Sequence, residues 1–221
     1  MNTPTSTPST ETVREVTIPP IGLQGRLGPP QTGMGVILFA HGSGSGRLSP
    51  RNNHVADALR AAGLGTLLFD LLTEDEAADR RKVFDIDLLA RRLVTAASWV
   101  HGLADLRDRP IGYFGASTGA GAALVASTLA DLPVGAIVSR GGRPDLAGDA
   151  LRRVTAPTLL IVGGADYPVI TMNREALDAL SVEKEIAIVP GAGHLFEEPG
   201  ALDQVIDLAR AWFVKHLRPP A

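Results

Sequence analysis

The chain has 221 residues, of which 45% are hydrophobic and 20% are charged, and its formal net charge at pH 7 is −3. This length and composition predict a globular protein with one core, and the slightly negative charge argues against a nucleic-acid partner. The sequence contains no cysteine. That excludes disulfides, thiolate metal ligands and a cysteine nucleophile, and it favours a cytoplasmic location.

The N-terminal segment is rich in Ser, Thr and Pro and reads MNTPTSTPST. It has neither the positively charged start nor the apolar stretch of a secretory signal. We therefore expect a flexible tail at 1–12 and one domain at 13–221. No apolar run approaches the roughly eighteen residues of a membrane helix, so no membrane association is expected.

Short runs rich in Val, Ile, Leu and Phe recur along the chain and predict strands. They are VREVTIP from Val13, GVILFA from Gly35, GTLLFDLL from Gly65, PIGYFG from Pro110, VGAIVS from Val134, PTLLIVGG from Pro157 and EIAIVPG from Glu185. From the second run onward they are continuously apolar, which is typical of strands covered by helices on both faces. One or two antiparallel strands are expected within 13–28.

Helical patterns lie between these runs. Residues 83–102 and 202–213 carry apolar side chains at every third or fourth position. Ser49 and Pro50 predict the start of another helix, and Gly63 predicts its end. The alternation predicts an α/β fold with a mostly parallel sheet of about seven to eight strands, helices on both faces and no large cap domain.

The segment GYFGASTGAGAAL at 112–124 allows two interpretations. A glycine-rich turn that opens a helix can hold a phosphate, and the same G-x-S-x-G spacing can present Ser117 as a nucleophile on a sharp strand-to-helix elbow. A serine hydroxyl is a poor nucleophile unless a histidine takes its proton and an acid orients that histidine. The choice therefore depends on residues outside the segment.

Two later strands supply those residues at their carboxyl ends. The run PTLLIVGG leads into Asp166, and EIAIVPG leads into His194. Because parallel strands deliver their carboxyl ends to one edge of a sheet, Ser117, Asp166 and His194 are expected to converge there. Asp145, which follows the preceding strand, is an alternative acid, but Asp166 follows its strand more directly.

An ester carbonyl that is attacked by serine also needs N–H donors for its developing negative charge. The N–H of Thr118, directly after the serine, is one expected donor. The glycine-rich loop HGSGSGR from His41 should supply the other, with Ser43 as the first candidate and Gly42 as the second. We interpret His41 as part of the hydrogen bonding of this loop and not as a second base.

Together the elbow, the HG loop, GGAD at 163–166 and GAGH at 191–194 resemble the α/β-hydrolase fold. The small, cap-free chain is similar to the dienelactone-hydrolase-like branch over residues 13–217. The resemblance implies Ser117 as nucleophile, Asp166 as acid, His194 as base, and Thr118 and Ser43 as oxyanion donors. Dienelactone hydrolases proper use a cysteine nucleophile helped by a nearby glutamate. Serine at 117 and the absence of a carboxylate in the HG loop favour a serine esterase.

The expected substrate is a small-molecule ester. The connection between the strands at Val134 and Pro157 has no room for a long cap, so an open site and small or short-acyl substrates are expected. Arg140 and Arg143 follow a strand at the same edge and are candidate substrate-binding residues for a carboxylate. The alternative is that they form ion pairs that steady their loop.

The sequence allows two other functions. The glycines of 115–121 resemble a short-chain dehydrogenase pattern, although they follow several strands and neither Tyr113 nor Tyr167 has a lysine four residues on. A non-catalytic binding protein on a hydrolase scaffold is the other alternative. The hydrolase interpretation requires no organic cofactor and no metal. We expect the protein to be a monomer or a homodimer.

Overall fold

The computed structural model describes residues 13–31, 33–129 and 131–218. The tail predicted at 1–12 lies outside these residues. The strands are β1 Arg14–Ile18, β2 Leu23–Gly28, β3 Val36–Ala40, β4 Gly65–Phe69, β5 Ile111–Ala116, β6 Val134–Arg140, β7 Thr158–Gly163 and β8 Lys184–Val189. The α-helices are α1 Pro50–Ala61, α2 Glu74–Ala77, α3 Arg80–Val83, α4 Ile86–Gly102, α5 Thr118–Leu129, α6 Tyr167–Ala179 and α7 Ala201–His216.

All eight strands form one sheet in the order β1-β2-β4-β3-β5-β6-β7-β8. The pairs β1–β2 and β2–β4 are antiparallel, and every other neighbouring pair is parallel. The predicted α/β class and the antiparallel start within 13–28 are confirmed. The six parallel strands bring their carboxyl ends to one edge, where ligands of such sheets bind.

Helices cover both faces of this sheet. One core contains residues of α4 and α5, such as Leu93 and Leu124, and the other contains residues of α1 and α7, such as Val55 and Phe213. The central strands β3, β4 and β5 are buried along their whole length. Burial on both faces explains why their sequences are continuously apolar.

Helix boundaries follow capping chemistry. The Ser49 side chain accepts a hydrogen bond from the N–H of Asn52 at the start of α1, and Gly63 leaves that helix with a φ of +89°. The helix expected at 83–102 begins at Ile86, because the Asp85 side chain caps it by accepting from the N–H of Leu88. Val83 belongs to the separate helix α3.

The carboxyl edge of the sheet has no large cap between β6 and β7. A 3-10 helix, Pro144–Arg153, makes that connection. In the ranges that the structure describes, no helix is both long enough and apolar enough to cross a membrane.

Candidate active site

The turn between β5 and α5 holds Ser117 in a left-handed conformation with a φ of 51°. Few residues other than glycine adopt this conformation, and an observed outlier of this kind points to a functional constraint. Neighbouring backbone fixes it. The N–H of Ser117 donates to the carbonyl of Arg140 at 3.3 Å, and the carbonyl of Ser117 accepts from the N–H of Arg143 at 3.0 Å. The serine is therefore presented at the apex of a sharp elbow.

The two glycines of the G-x-S-x-G motif are required by close backbone contacts. A Cβ at position 115 would lie 2.5 Å from the Cα of Ala120 in the following helix. A Cβ at position 119 would lie 2.0 Å from the carbonyl oxygen of Ala40, at the end of β3. Only glycine lets the helix start so near both strands.

The structure brings Ser117, His194 and Asp166 together in one chain of contacts. The His194 Nε2 lies 3.3 Å from the Ser117 Oγ, and the His194 Nδ1 lies 2.8 Å from the Asp166 Oδ2. The Asp166 side chain is 14% exposed and that of His194 is 39% exposed. A carboxylate on Nδ1 fixes the imidazole tautomer so that Nε2 can accept the serine proton.

The loops that carry the acid and the histidine are bonded to each other. The N–H of Ala165 donates to the carbonyl of Ala192 at 2.9 Å. The N–H of Gly193 donates to the Glu198 carboxylate at 2.9 Å. Glu198 is not among the candidate site residues of the sequence analysis, yet its carboxylate directly holds the residue before His194. The spacing of the glutamate from the glycine carries no recognisable signal for this contact.

Asp145, the alternative acid, is engaged elsewhere. Its carboxylate accepts two hydrogen bonds from the Arg143 guanidinium, at 2.8 and 2.7 Å. This bidentate pair raises the pKa of Arg143. Asp145 thus balances the charge of Arg143 within the same loop, which is the ion pair that the sequence offered as the alternative to substrate binding.

Arg140 has a different environment. Its side chain is buried, with 7% of the residue exposed, and its Nη2 donates to the Asn52 Oδ1 at 3.2 Å. Among the described residues no carboxylate lies within ion-pair distance, and the buried Nε has no hydrogen-bond partner. Burial, with a contribution from nearby Arg51, lowers the pKa of Arg140 to about 10. It remains charged at neutral pH.

The HG loop lies directly against the nucleophile. A Cβ at position 42 would approach the Ser117 Cβ to 2.9 Å, so Gly42 allows the close approach that the sequence predicted. The N–H of Ser43, the expected second oxyanion donor, points toward Thr118 and donates to its Oγ1 at 3.1 Å. The Ser43 N–H thus lies next to the residue that follows Ser117, but a side-chain oxygen already accepts its hydrogen bond.

His41 orients this loop. Its Nε2 accepts from the N–H of Leu71 at 3.0 Å, so the proton resides on Nδ1, which lies 3.0 Å from the carbonyl oxygen of Gly42. Burial lowers the pKa of His41, which favours this neutral form. The C=O and N–H of one trans peptide lie in its plane and point in opposite directions, so holding the Gly42 carbonyl directs the Ser43 N–H toward Thr118.

A cavity of about 540 Å³ opens beside the loop, a size typical of small-molecule sites. Gly42, Ser43 and Thr118 form part of its wall, and apolar side chains that include Leu72, Val83 and Leu89 also line it. Over residues 13–31, 33–129 and 131–218, no three His, Asp or Glu side chains are grouped so that they could hold a metal ion.

Comparison with known proteins identifies the family. The crystal structure of a dienelactone hydrolase from Anabaena variabilis is 53% identical, covers 93% of this chain and 99% of its own, and superposes with a TM-score of 0.88. The structure of carboxyl esterase 2 from Tuber melanosporum covers 96% of this chain and 89% of its own at 21% identity, with a TM-score of 0.74, and shares the fold.

A curated protein of Mycobacterium tuberculosis with the provisional name phosphoribosyl transferase is 53% identical over 206 residues, which is 93% of this chain. The chain spans about half the length of that relative, since the match covers 46% of it. No family model matches the sequence. The full-length similarity to the Anabaena structure, together with the elbow and its partners, shows that the chain belongs to the dienelactone-hydrolase-like branch of the α/β-hydrolase fold family.

Proposed function

We propose that the protein is a serine hydrolase that cleaves carboxylic esters with small or short acyl groups. The observation that carries this proposal is the chain of contacts from Asp166 through His194 to Ser117 on the strained elbow. A phosphate cradle would need neither the histidine nor the acid. A dehydrogenase would not need the histidine or the acid either.

The reaction proceeds in two halves. His194 takes the proton of Ser117 as the Oγ attacks the ester carbonyl, and the oxyanion forms beside the start of α5 and the HG loop. His194 then gives its proton to the leaving alcohol, and an acyl-serine remains. Water, activated by the same histidine, attacks the acyl-serine and releases the acid.

The sheet order supports a placement of the two arms of the ester on two sides of Ser117. The leaving group must lie near His194, which comes from the β8 side of β5. The cavity lies on the opposite side, beyond β3 and next to β4. We therefore place the acyl group in the cavity.

The names of relatives support hydrolysis in general terms. The Anabaena relative is named as a dienelactone hydrolase and the Tuber protein as a carboxyl esterase. The transferase name is carried by a protein about twice as long, and no contact at the site described above indicates transfer of a phosphoribosyl group.

A fluorophosphonate probe tests the proposal. We expect stoichiometric labelling at Ser117, read by mass spectrometry, because the probe reacts with an activated serine. A dehydrogenase or an inert binding protein would stay unlabelled.

A series of 4-nitrophenyl esters tests the acyl assignment. With one leaving group throughout, kcat/KM should be highest for acyl groups of two to about eight carbons, which suit a small-molecule cavity. It should fall at least about 10-fold for a sixteen-carbon acyl group, because the 144–153 connection forms no cap that would enclose the far end of so long a chain. Faster hydrolysis of long-chain triglycerides than of short aryl esters would contradict the assignment.

The two arginines give a prediction about anionic substrates. Arg143 already has a carboxylate partner, whereas Arg140 has none within ion-pair distance among the described residues. If substrates carry a carboxylate on the leaving group, Arg140→Gln should raise KM for 4-acetoxybenzoate about 10-fold more than for its methyl ester, because β6 lies on the leaving-group side of Ser117. Arg143→Gln, the matched control, should change both KM values equally. An equal effect of Arg140→Gln on both esters would remove Arg140 from substrate binding.

A further inference from the structure

The expected oxyanion hole holds a hydrogen bond that sequence reasoning did not foresee. The N–H of Ser43 is directed at the Thr118 Oγ1, at 3.1 Å. The donor therefore already has an acceptor before any substrate arrives. Either this hydrogen bond breaks when the oxyanion forms, or the threonine hydroxyl itself takes part in binding the oxyanion.

The hydroxyl of Thr118 has a proton to give. A threonine hydroxyl accepts through its lone pairs and donates one O–H. The Ser43 N–H uses the accepting side, and among the hydrogen bonds of the described residues none takes the Thr118 O–H as donor. The residue is 5% exposed and belongs to the wall of the cavity beside the elbow.

We propose that the Thr118 hydroxyl is a catalytic oxyanion donor. It accepts from the Ser43 N–H and donates its own O–H to the carbonyl oxygen of the substrate, next to the N–H of the same residue. This inference rests on the proposed ester hydrolysis at Ser117 and adds a side-chain donor to it. Residue 118 then supplies two of the hydrogen bonds to the oxyanion.

Cooperativity favours this arrangement. A hydroxyl that accepts a hydrogen bond is polarised and becomes a better donor, and the effect is stronger in a dry site. The hydrogen bond from the His41 Nδ1 to the Gly42 carbonyl holds the Gly42–Ser43 peptide, so that the Ser43 N–H points at the Thr118 hydroxyl and polarises it. Negative charge on the substrate oxygen is therefore spread over Thr118 and, through it, over the Ser43 N–H. No covalent step beyond acyl transfer is added.

The competing arrangement makes the opposite prediction. If the hydroxyl only occupies the Ser43 N–H and rotates away during the reaction, its removal frees that N–H for direct contact with the oxyanion. Thr118→Val would then leave the rate unchanged or raise it. Valine has nearly the shape of threonine, so the comparison isolates the hydroxyl.

The experiment compares Thr118→Val and Thr118→Ser with the wild-type chain. The readouts are the 4-nitrophenol burst that reports acylation, the steady-state kcat and KM, and the second-order rate of fluorophosphonate labelling at Ser117. For Thr118→Val we expect acylation and labelling to slow about 100-fold, the usual loss for one oxyanion donor, with KM nearly unchanged. Thr118→Ser restores the hydroxyl and should recover most of both rates.

Thr128→Val is the matched control, since it makes the same substitution at the other end of α5. The Thr128 hydroxyl donates to the Val125 carbonyl within the helix, and the rates should stay at the wild-type level. Thermal unfolding of each variant checks the fold. If Thr118→Val melts at a lower temperature, Thr118→Ala removes the same hydroxyl without an added methyl contact and gives the same comparison.

Rates for Thr118→Val within threefold of wild type, or an equal loss in Thr118→Ser, would overturn the assignment of the hydroxyl. These outcomes leave the proposed function intact as long as wild-type Ser117 is labelled and esters are cleaved. Absence of wild-type labelling would instead overturn the proposed function itself, so the two failures are distinguishable.

Discussion

Ser117→Ala should abolish almost all ester hydrolysis, lowering kcat/KM at least about 10⁴-fold. The reason is that the hydroxyl 3.3 Å from the His194 Nε2 is the group that forms the acyl-enzyme. The free energy of unfolding should change by less than about 1 kcal/mol, since one half-buried hydroxyl is lost and the backbone turn is kept. Initial rates with 4-nitrophenyl acetate and a thermal melt measure the two effects.

Ser127→Ala is the matched control for this variant. The Ser127 hydroxyl donates to the Leu124 carbonyl within α5 and lies far along the helix from the elbow. It should keep wild-type rates and fluorophosphonate labelling. Retention of substantial hydrolysis in Ser117→Ala, with labelling elsewhere, would show that another residue carries the reaction.

Asp166→Asn should reduce kcat about 10⁴-fold with a small change in KM. An amide in place of the carboxylate can donate to the His194 Nδ1, which favours the tautomer with its proton on Nε2. That tautomer cannot accept the serine proton, and the imidazolium formed during attack loses its counter-charge. Steady-state kinetics over a range of ester concentrations separates the effect on kcat from that on KM.

Asp145→Asn tests the alternative acid with the same substitution. Asp145 holds Arg143 through a bidentate ion pair, so we expect a modest loss of stability and a kcat within about threefold of wild type. If Asp145→Asn were the more damaging of the two for kcat, the acid would have to be reassigned from Asp166 to Asp145.

Most of the fold could be predicted from local patterns. Continuous apolar runs identified the largely buried strands β3 to β7, but the expectation of cover on both faces was wrong for β8, which lies at the edge of the sheet and is partly exposed. Ser49, Pro50 and Gly63 identified the ends of α1. Boundaries were less secure where two signals compete. Apolar periodicity from residue 83 onward suggested one helix, but Asp85 caps a new one at Ile86 and separates it from α3.

The candidate site divides in a similar way. Ser117, Asp166 and His194 could be found because each follows a strand, and parallel strands end at one edge. Glu198 could not be found, because its bond to the N–H of Gly193 depends on how the histidine loop folds back. The different surroundings of Arg140 and Arg143 were also open in the sequence, since Arg140 ends β6 and Arg143 lies only three residues further on.

The sequence by itself determined the class of sheet, the order of its elements and the three residues that its edge brings together, because hydrophobic period and strand ends are local properties. Only the tertiary structure decided that Arg143 pairs with Asp145 while Arg140 lies buried without a carboxylate partner among the described residues. It alone directs the Ser43 N–H at the Thr118 hydroxyl. Hydrogen bonds between side chains and distant loops depend on differences in distance of a few tenths of an ångström, and the packing of the whole folded chain sets those distances.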